Sequence, residues 1–86
     1  MTISKTLEQR QKTHGDFATH AVISQHLKGT MSFYDGYKEL TPIQMEALEM
    51  IAHKIARILN GNPDHYDHWH DIAGYATLVT ELLEQK

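Results

Sequence analysis

Four side chains with metal-binding or phosphate-binding chemistry recur at helical spacing in the middle of the chain. They are Glu46, Glu49, His53 and Arg57. Steps of three and four residues place side chains next to one another on an α-helix. Carboxylates and an imidazole at this spacing suit a divalent cation, and a guanidinium one turn further can bind a phosphate through two hydrogen bonds. The alternative is that these residues form the solvated face that any amphipathic helix carries.

A second set of polar residues lies closer to the C-terminus, where Asp67, Asp71 and Gly74 share one face of another predicted helix. If the two helices bring Asp71 close to Glu46 and Glu49, so many carboxylates in one place require a cation. A glycine inside a helix costs about 1 kcal/mol relative to alanine, so Gly74 indicates a close helix approach or a ligand over the backbone. Alternatively, the two aspartates complement the macrodipole at the N-terminal end of their helix.

The seven histidines are the most unusual feature of the composition. Three of them, at positions 65, 68 and 70, stand beside aspartates in the run 64–71, and imidazole with carboxylate can bind a transition metal. Their spacing matches no closed zinc site, so adventitious metal binding or plain surface exposure is the favoured interpretation. His14, His20 and His26 recur every six residues, which gives them no common helical face, and we assign them no role.

Composition limits the class of protein. A chain of 86 residues has room for one domain, and its net charge of −3 creates no basic field that would attract duplex DNA. The absence of cysteine excludes disulfides, thiolate zinc sites and cysteine nucleophiles, and it is typical of the reducing cytoplasm. No apolar run reaches the length of a membrane span, and no signal peptide pattern is present. We therefore expect one soluble, cytoplasmic domain over residues 1–86.

Local signals predict an all-α fold. Thr41 can cap a helix whose first turn holds Pro42 and whose Gln44 closes a capping box, and Gly61 ends that helix. Gly29 is expected to end an earlier helix in the same way.

These signals also predict how the helices are arranged. The two long helices, at about 41–60 and 66–85, are predicted to form an antiparallel hairpin. A shorter helix at about 16–28 is expected to pack across the hairpin, and residues 1–13 are expected to form a loose N-terminal helix.

Apolar residues at helical steps predict which faces are buried. One stripe follows the first long helix, and two lines follow the last helix. A helix that is apolar on two sides must be covered on two sides, so we expect a homo-oligomer, either a dimer or a tetramer. The stripe contains Leu48, Ile51, Ile55, Ile58 and Leu59, and the two lines contain Trp69, Ile72, Ala76, Val79 and Leu83, and Tyr75, Leu78 and Leu82.

From about residue 10 onward the chain resembles a family of small, uncharacterised proteins carried by tailed phages and prophages. The resemblance rests on a Lys-x-x-Arg element on one helix and an Asp-x-Trp-x-Asp-Ile-Ala-Gly-Tyr element on the next. It implies a phage or prophage protein in the host cytoplasm. In this sequence the two elements comprise Lys54, Arg57, Asp67, Trp69, Asp71, Gly74 and Tyr75.

The chain is more distantly similar to all-α nucleotide pyrophosphohydrolases of the MazG and dUTPase type. These enzymes hold Mg²⁺ with a Glu-x-x-Glu on one helix and a Glu-x-x-Asp on the next. The segment from Glu46 to Glu49 resembles the first half, and the segment from His68 to Asp71 takes the place of the second, with His68 where the family has glutamate. The resemblance implies that Glu46, Glu49 and Asp71 bind Mg²⁺ or Mn²⁺, and that the chain assembles as a dimer or tetramer.

Two functions remain open from the sequence. The first is binding of a nucleotide through a divalent cation and two basic residues, with metal-assisted pyrophosphate hydrolysis as its activity if the site is complete. The second is a non-enzymatic accessory role, in which the last helix and an aromatic loop around Phe33, Tyr34 and Tyr37 bind a host or phage protein. The first function assigns Lys54 and Arg57 to the phosphates and Glu46, Glu49 and Asp71 to the cation, with Asp67 and His53 as further donors.

Overall fold

The computed structural model describes residues 2–85, and no strand occurs among them. The predicted all-α class is confirmed. A 3₁₀ helix at Asp35–Glu39 connects the second and third α-helices. The α-helices are α1 (Ile3–His14), α2 (Phe17–Phe33), α3 (Pro42–Asn60) and α4 (Tyr66–Glu84).

The start of α3 follows the capping signals in the sequence. Thr41 Oγ1 accepts a hydrogen bond from the backbone N–H of Gln44 at 3.2 Å, and Gln44 Oε1 accepts one from the backbone N–H of Thr41 at 3.0 Å. These two bonds satisfy backbone donors that a helix start leaves free, so the predicted capping box is present. The helix ends at Asn60, immediately before Gly61, as predicted.

The second helix is longer than predicted, because it continues through Gly29 to Phe33. The prediction that Gly29 ends α2 is therefore wrong. Its backbone takes no positive φ, which a glycine terminator would need, and it has open space around it. Met31, one turn beyond Leu27 on the same face, is half-buried and extends the packed side of the helix. Continued backbone bonding and packing outweigh the cost of about 1 kcal/mol for a glycine in a helix.

The α3 helix lies in the middle of the molecule, with α2 packed on one side and α4 on the other. The apolar residues that are buried in it are Ala47, Ala52 and Ala56, whose small side chains allow close helix contacts. The predicted core stripe is only partly correct, since Leu48 and Leu59 are exposed. Because α2 and α4 contact α3 from two sides, the small residues of α3 lie in these two contacts. The large residues of the predicted stripe lie between the two contacts.

Two glycines allow the α1–α2 connection to touch the α3–α4 connection. Gly15 has a φ of +80°, and a Cβ atom on Gly61 would overlap the Thr13 carbonyl and lie 2.6 Å from His14 C. The backbone N–H of Asn62 donates to Thr13 O at 2.9 Å, and Asn60 Nδ2 donates to Asp16 O at 2.8 Å. This contact holds the end of α1 against the end of α3.

Candidate functional site

A cavity of about 450 Å³ lies between α1, the start of α2 and the second half of α3. Among the residues that line it, Asp16 has the only carboxylate, and this carboxylate already accepts a hydrogen bond from the Thr19 backbone N–H at 2.9 Å. An anion therefore meets little negative charge in this cavity. The lining residues that can carry positive charge are Arg10, Arg57, His14, His20 and His53.

Arg57 is the central charge of the cavity. Burial, followed by the charge of Arg57, lowers the pKa of His14 to about 4. Burial and the neighbouring His53 lower the pKa of His20, and burial and Lys28 lower the pKa of His53, with Arg57 contributing to both. At neutral pH the imidazoles are consequently uncharged, and the guanidinium groups supply the positive charge of the site.

A chain of hydrogen bonds fixes the protonation of two of these imidazoles. Lys28 Nζ lies 2.9 Å from His53 Nε2, and an ammonium can only donate, so this nitrogen accepts. His53 Nδ1 therefore carries the proton and donates to His20 Nε2 at 3.4 Å. His20 is then protonated on Nδ1, a buried atom with no hydrogen-bond partner among residues 2–85. A buried donor without an acceptor is costly, so His20 Nδ1 is an unsatisfied polar atom of the folded chain.

A second group of imidazoles packs against His14, one of the residues that line the cavity. His68 is 1 % exposed, and its Nε2 donates to Thr13 O at 3.0 Å, so it ties α4 to the end of α1. Its ring lies 4.9 Å from that of His14 and 4.7 Å from that of His65. His70 instead stacks on Tyr66, so the three predicted histidines of the run 64–71 do not come together.

The predicted cation ligands are not gathered in one place. Asp71 Oδ2 pairs with Lys54 Nζ at 2.8 Å, and the hydrogen bond from Lys54 holds the pKa of Asp71 below its usual value. Glu49 Oε2 accepts a hydrogen bond from the hydroxyl of Tyr37 at 3.3 Å, and Glu46 is exposed. Within residues 2–85, no three His, Asp or Glu side chains are arranged to hold a metal ion.

The remaining predicted residues occupy other parts of the surface. Asp67 is exposed on α4, and its Oδ2 lies 3.7 Å from His65 Nε2. Trp69 Nε1 donates to Pro63 O at 2.7 Å, which holds the indole over the α3–α4 connection. Tyr75 is half-buried. A Cβ atom on Gly74 would have no neighbour within 4 Å, so no close helix approach among residues 2–85 accounts for this glycine.

Sequence analysis missed four site residues, namely Arg10, His14, Phe17 and His20. His14 and His20 come from the end of α1 and the first turns of α2, and their spacing places them on no common helical face. Gly15, with its positive φ, is the feature that turns the chain between them. A glycine next to a histidine and an N-capping aspartate is the one available signal, and it indicates a turn rather than a site.

Comparisons with known proteins give a family without an activity. A family model described as "Domain of unknown function (DUF6378)" matches residues 2–83. No curated protein matches the chain, and no solved structure matches it. None of the described helices is long and apolar enough to cross a membrane.

Proposed function

This chain belongs to the DUF6378 family, and we propose that it binds a nucleotide by its phosphates in the cavity between α1 and α3. The observation that carries the proposal is the charge of that cavity. Arg10 of α1 and Arg57 of α3 both line it, and its single carboxylate is used to cap α2. Its volume of about 450 Å³ is in the range of small-molecule sites.

The positive charge of the two arginines favours binding of an anionic phosphate over binding of a metal cation. A guanidinium group donates in a planar fork that matches two phosphate oxygens. Because Arg10 and Arg57 belong to different helices, a phosphate between them would be neutralised from two sides.

The rim of the cavity offers an aromatic surface for the base. Phe17 lines the cavity and is 81 % exposed, so one face of its ring is open to a ligand. Stacking on an aromatic ring is available to every nucleobase and does not select among them. Phosphate contacts at Arg57 and stacking at Phe17 together favour a nucleotide over inorganic phosphate.

In the proposed binding mode, Lys54 and Asp71 stabilise the fold and do not contact the ligand. Lys54 is only 8 % exposed and its ammonium is paired with Asp71, so it joins α3 to α4. Because Glu49 is also engaged by Tyr37, we propose binding without a metal ion. Mg²⁺-dependent hydrolysis on Glu46, Glu49 and Asp71 would first require Asp71 to leave Lys54. The resemblance to phage and prophage proteins supports a setting in the cytoplasm of the host.

Calorimetric titration with nucleoside mono-, di- and triphosphates tests the proposal, first in EDTA and then with Mg²⁺. We expect binding in EDTA that strengthens with the number of phosphates and is absent for the nucleoside. Arg10→Gln should weaken binding at least about tenfold, the loss of one charge-assisted contact, whereas Lys5→Gln, an exposed position of α1 outside the cavity, should not. Binding that requires Mg²⁺ and is lost in Asp71→Asn would contradict this mode and favour a metal centre.

Protein binding is the second candidate, and one observation favours it. Phe33 and Tyr34, at the end of α2, are both exposed, and their rings pack edge to face at 5.3 Å. Exposed aromatic pairs are enriched in protein interfaces. If no nucleotide binds, co-purification of a host or phage protein that is lost in a Phe33→Ser, Tyr34→Ser variant would support this role.

A further inference from the structure

The helices α2, α3 and α4 lie side by side in a single layer. The α3 helix contacts α2 through the hydrogen bond between His53 and Lys28 and contacts α4 through the ion pair between Lys54 and Asp71. Among residues 2–85, α2 and α4 make no extensive contact with each other. Stable domains bury the apolar side of one layer against a second layer.

One face of this layer is apolar. The contacts orient the helices. On α3, Leu48, Ile55 and Leu59 lie opposite Arg57, which lines the cavity, and on α4, Trp69 and Leu83 lie away from Asp71, which pairs with Lys54. Residues directed away from the cavity therefore share one side of the layer. These residues, which we call the apolar face, carry no charge. They are Leu27 of α2, Leu48, Ile55 and Leu59 of α3, and Trp69 and Leu83 of α4.

The opposite face is charged and already partly covered. Glu46 of α3 and Asp67 and Glu81 of α4 lie on it. The α1 helix also lies on this side, where it forms the nucleotide cavity with Arg57. Water and α1 thus satisfy the charged face, whereas four residues of the apolar face are exposed among residues 2–85, namely Leu48, Leu59, Trp69 and Leu83.

The total accessible surface exceeds that of a compact monomer by about the area that one chain buries in a dimer interface. The accessible surface is 6382 Å², about 1,200 Å² more than the roughly 5,200 Å² that a compact monomer of this mass exposes. Two chains that each buried this excess would remove about 2,400 Å², within the range of obligate homodimers. The radius of gyration of 14.7 Å also exceeds the roughly 12 Å of a compact chain of this length.

We propose that a second copy of this chain covers the apolar face, so that two three-helix layers pack face to face. Among residues 2–85 the buried apolar residues are three alanines, so cover over the larger apolar side chains would stabilise the fold. A twofold interface places each surface against itself, which the uncharged face permits without repulsion. The nucleotide cavity lies on the other side of the layer and stays accessible.

Sedimentation equilibrium of the full chain tests the dimer. We expect wild type at twice the 9.9 kDa of one chain at micromolar concentration. Leu83→Glu should raise the dimer dissociation constant at least tenfold, because it buries a charge in the interface. Leu78→Glu is the matched control, since Leu78 lies on the same helix outside the apolar face and is 57 % exposed, against 49 % for Leu83. A monomeric wild type at 100 μM, or equal effects of the two variants, would overturn the proposal.

A second measurement remains decisive if Leu83→Glu fails to fold. The chain contains no cysteine, so single cysteines can be introduced at Ala76 and Thr77. Both positions are exposed in one chain, but Ala76 lies between Trp69 and Leu83 on the apolar face and Thr77 does not. In folded protein, we expect maleimide to react at least tenfold more slowly with the Ala76→Cys variant than with Thr77→Cys. Equal rates would overturn the proposal.

Discussion

Lys54 Nζ lies 2.8 Å from Asp71 Oδ2 across the contact between α3 and α4, and Lys54 is almost completely buried. A buried ammonium needs a partner, and here an aspartate provides it. The same aspartate is the one that resemblance to MazG-type enzymes assigns to a magnesium ion. In this chain Lys54 balances the negative charge of Asp71. The positively charged cavity is lined by Arg57 instead.

The two members of this pair should respond differently to substitution. Asp71→Ala leaves the buried Lys54 without a partner, and we expect a lower free energy of unfolding. The loss should be smaller than for a fully buried pair, because Asp71 contacts solvent. Lys54→Met replaces the buried charge with an apolar chain of similar length and should cost less. Urea unfolding measures both, and the reverse order would contradict the role assigned to Lys54.

Two glycine substitutions should have opposite effects. Gly61→Ala places a Cβ against Thr13 O and the His14 backbone, so we expect a loss of more than about 2 kcal/mol, similar to other overpacked sites. Gly74→Ala enters open space inside α4 and should stabilise the protein by up to about 1 kcal/mol through helix propensity. Thermal unfolding of the two variants checks this, and a destabilised Gly74→Ala would show that another chain approaches that position closely.

Stability should depend on pH through the histidines of the cavity. Burial and Arg57 lower the pKa of His14 from 6.5 to about 4 in the folded protein, while the unfolded chain keeps the ordinary value. The unfolded state therefore binds more protons below pH 6.5, so the free energy of unfolding falls as the pH drops from 6.5 toward 4. His20 and His53 shift in the same direction. In His14→Gln this acid loss should be smaller, and an unchanged pH profile would contradict the assignment.

The proposed stacking of a base on Phe17 can be tested separately from phosphate binding. Phe17→Leu keeps an apolar side chain at the rim but removes the ring. We expect weaker binding of nucleoside triphosphates, by roughly tenfold for one lost stacking contact, and unchanged binding of inorganic triphosphate. Calorimetry with the two ligands separates the effects, and a loss of inorganic triphosphate binding would mean that Phe17 holds the cavity open instead.

Helix positions are largely predictable because their signals are local. The capping box at Thr41 and Gln44 depends on residues three apart, and it places the start of α3 correctly. The end of α2 is not predictable from Gly29, because half-buried Met31 extends the helix through a tertiary contact. Leu48 and Leu59 are exposed within one chain, contrary to the prediction. Helical periodicity shows which residues share a face, but it does not show how many helices pack against that face.

The candidate site depends still more on tertiary structure. Arg57 is identified from its position on α3, and it lines the cavity. Arg10, His14 and His20 escape sequence analysis because their helices meet α3 only after the chain turns at Gly15. The ion pair between Lys54 and Asp71 joins two residues that the sequence assigns to different ligands.

We propose above that Arg57 holds phosphate in the cavity between α1 and α3 without a metal ion. The most direct measurement is calorimetric titration of inorganic triphosphate in EDTA into wild type and Arg57→Gln, with circular dichroism to verify that both are folded. We expect binding to wild type and an affinity at least about tenfold lower in the variant, as for the loss of one charge-assisted bidentate contact. Equal affinity in the two proteins, or no binding to wild type, would contradict it.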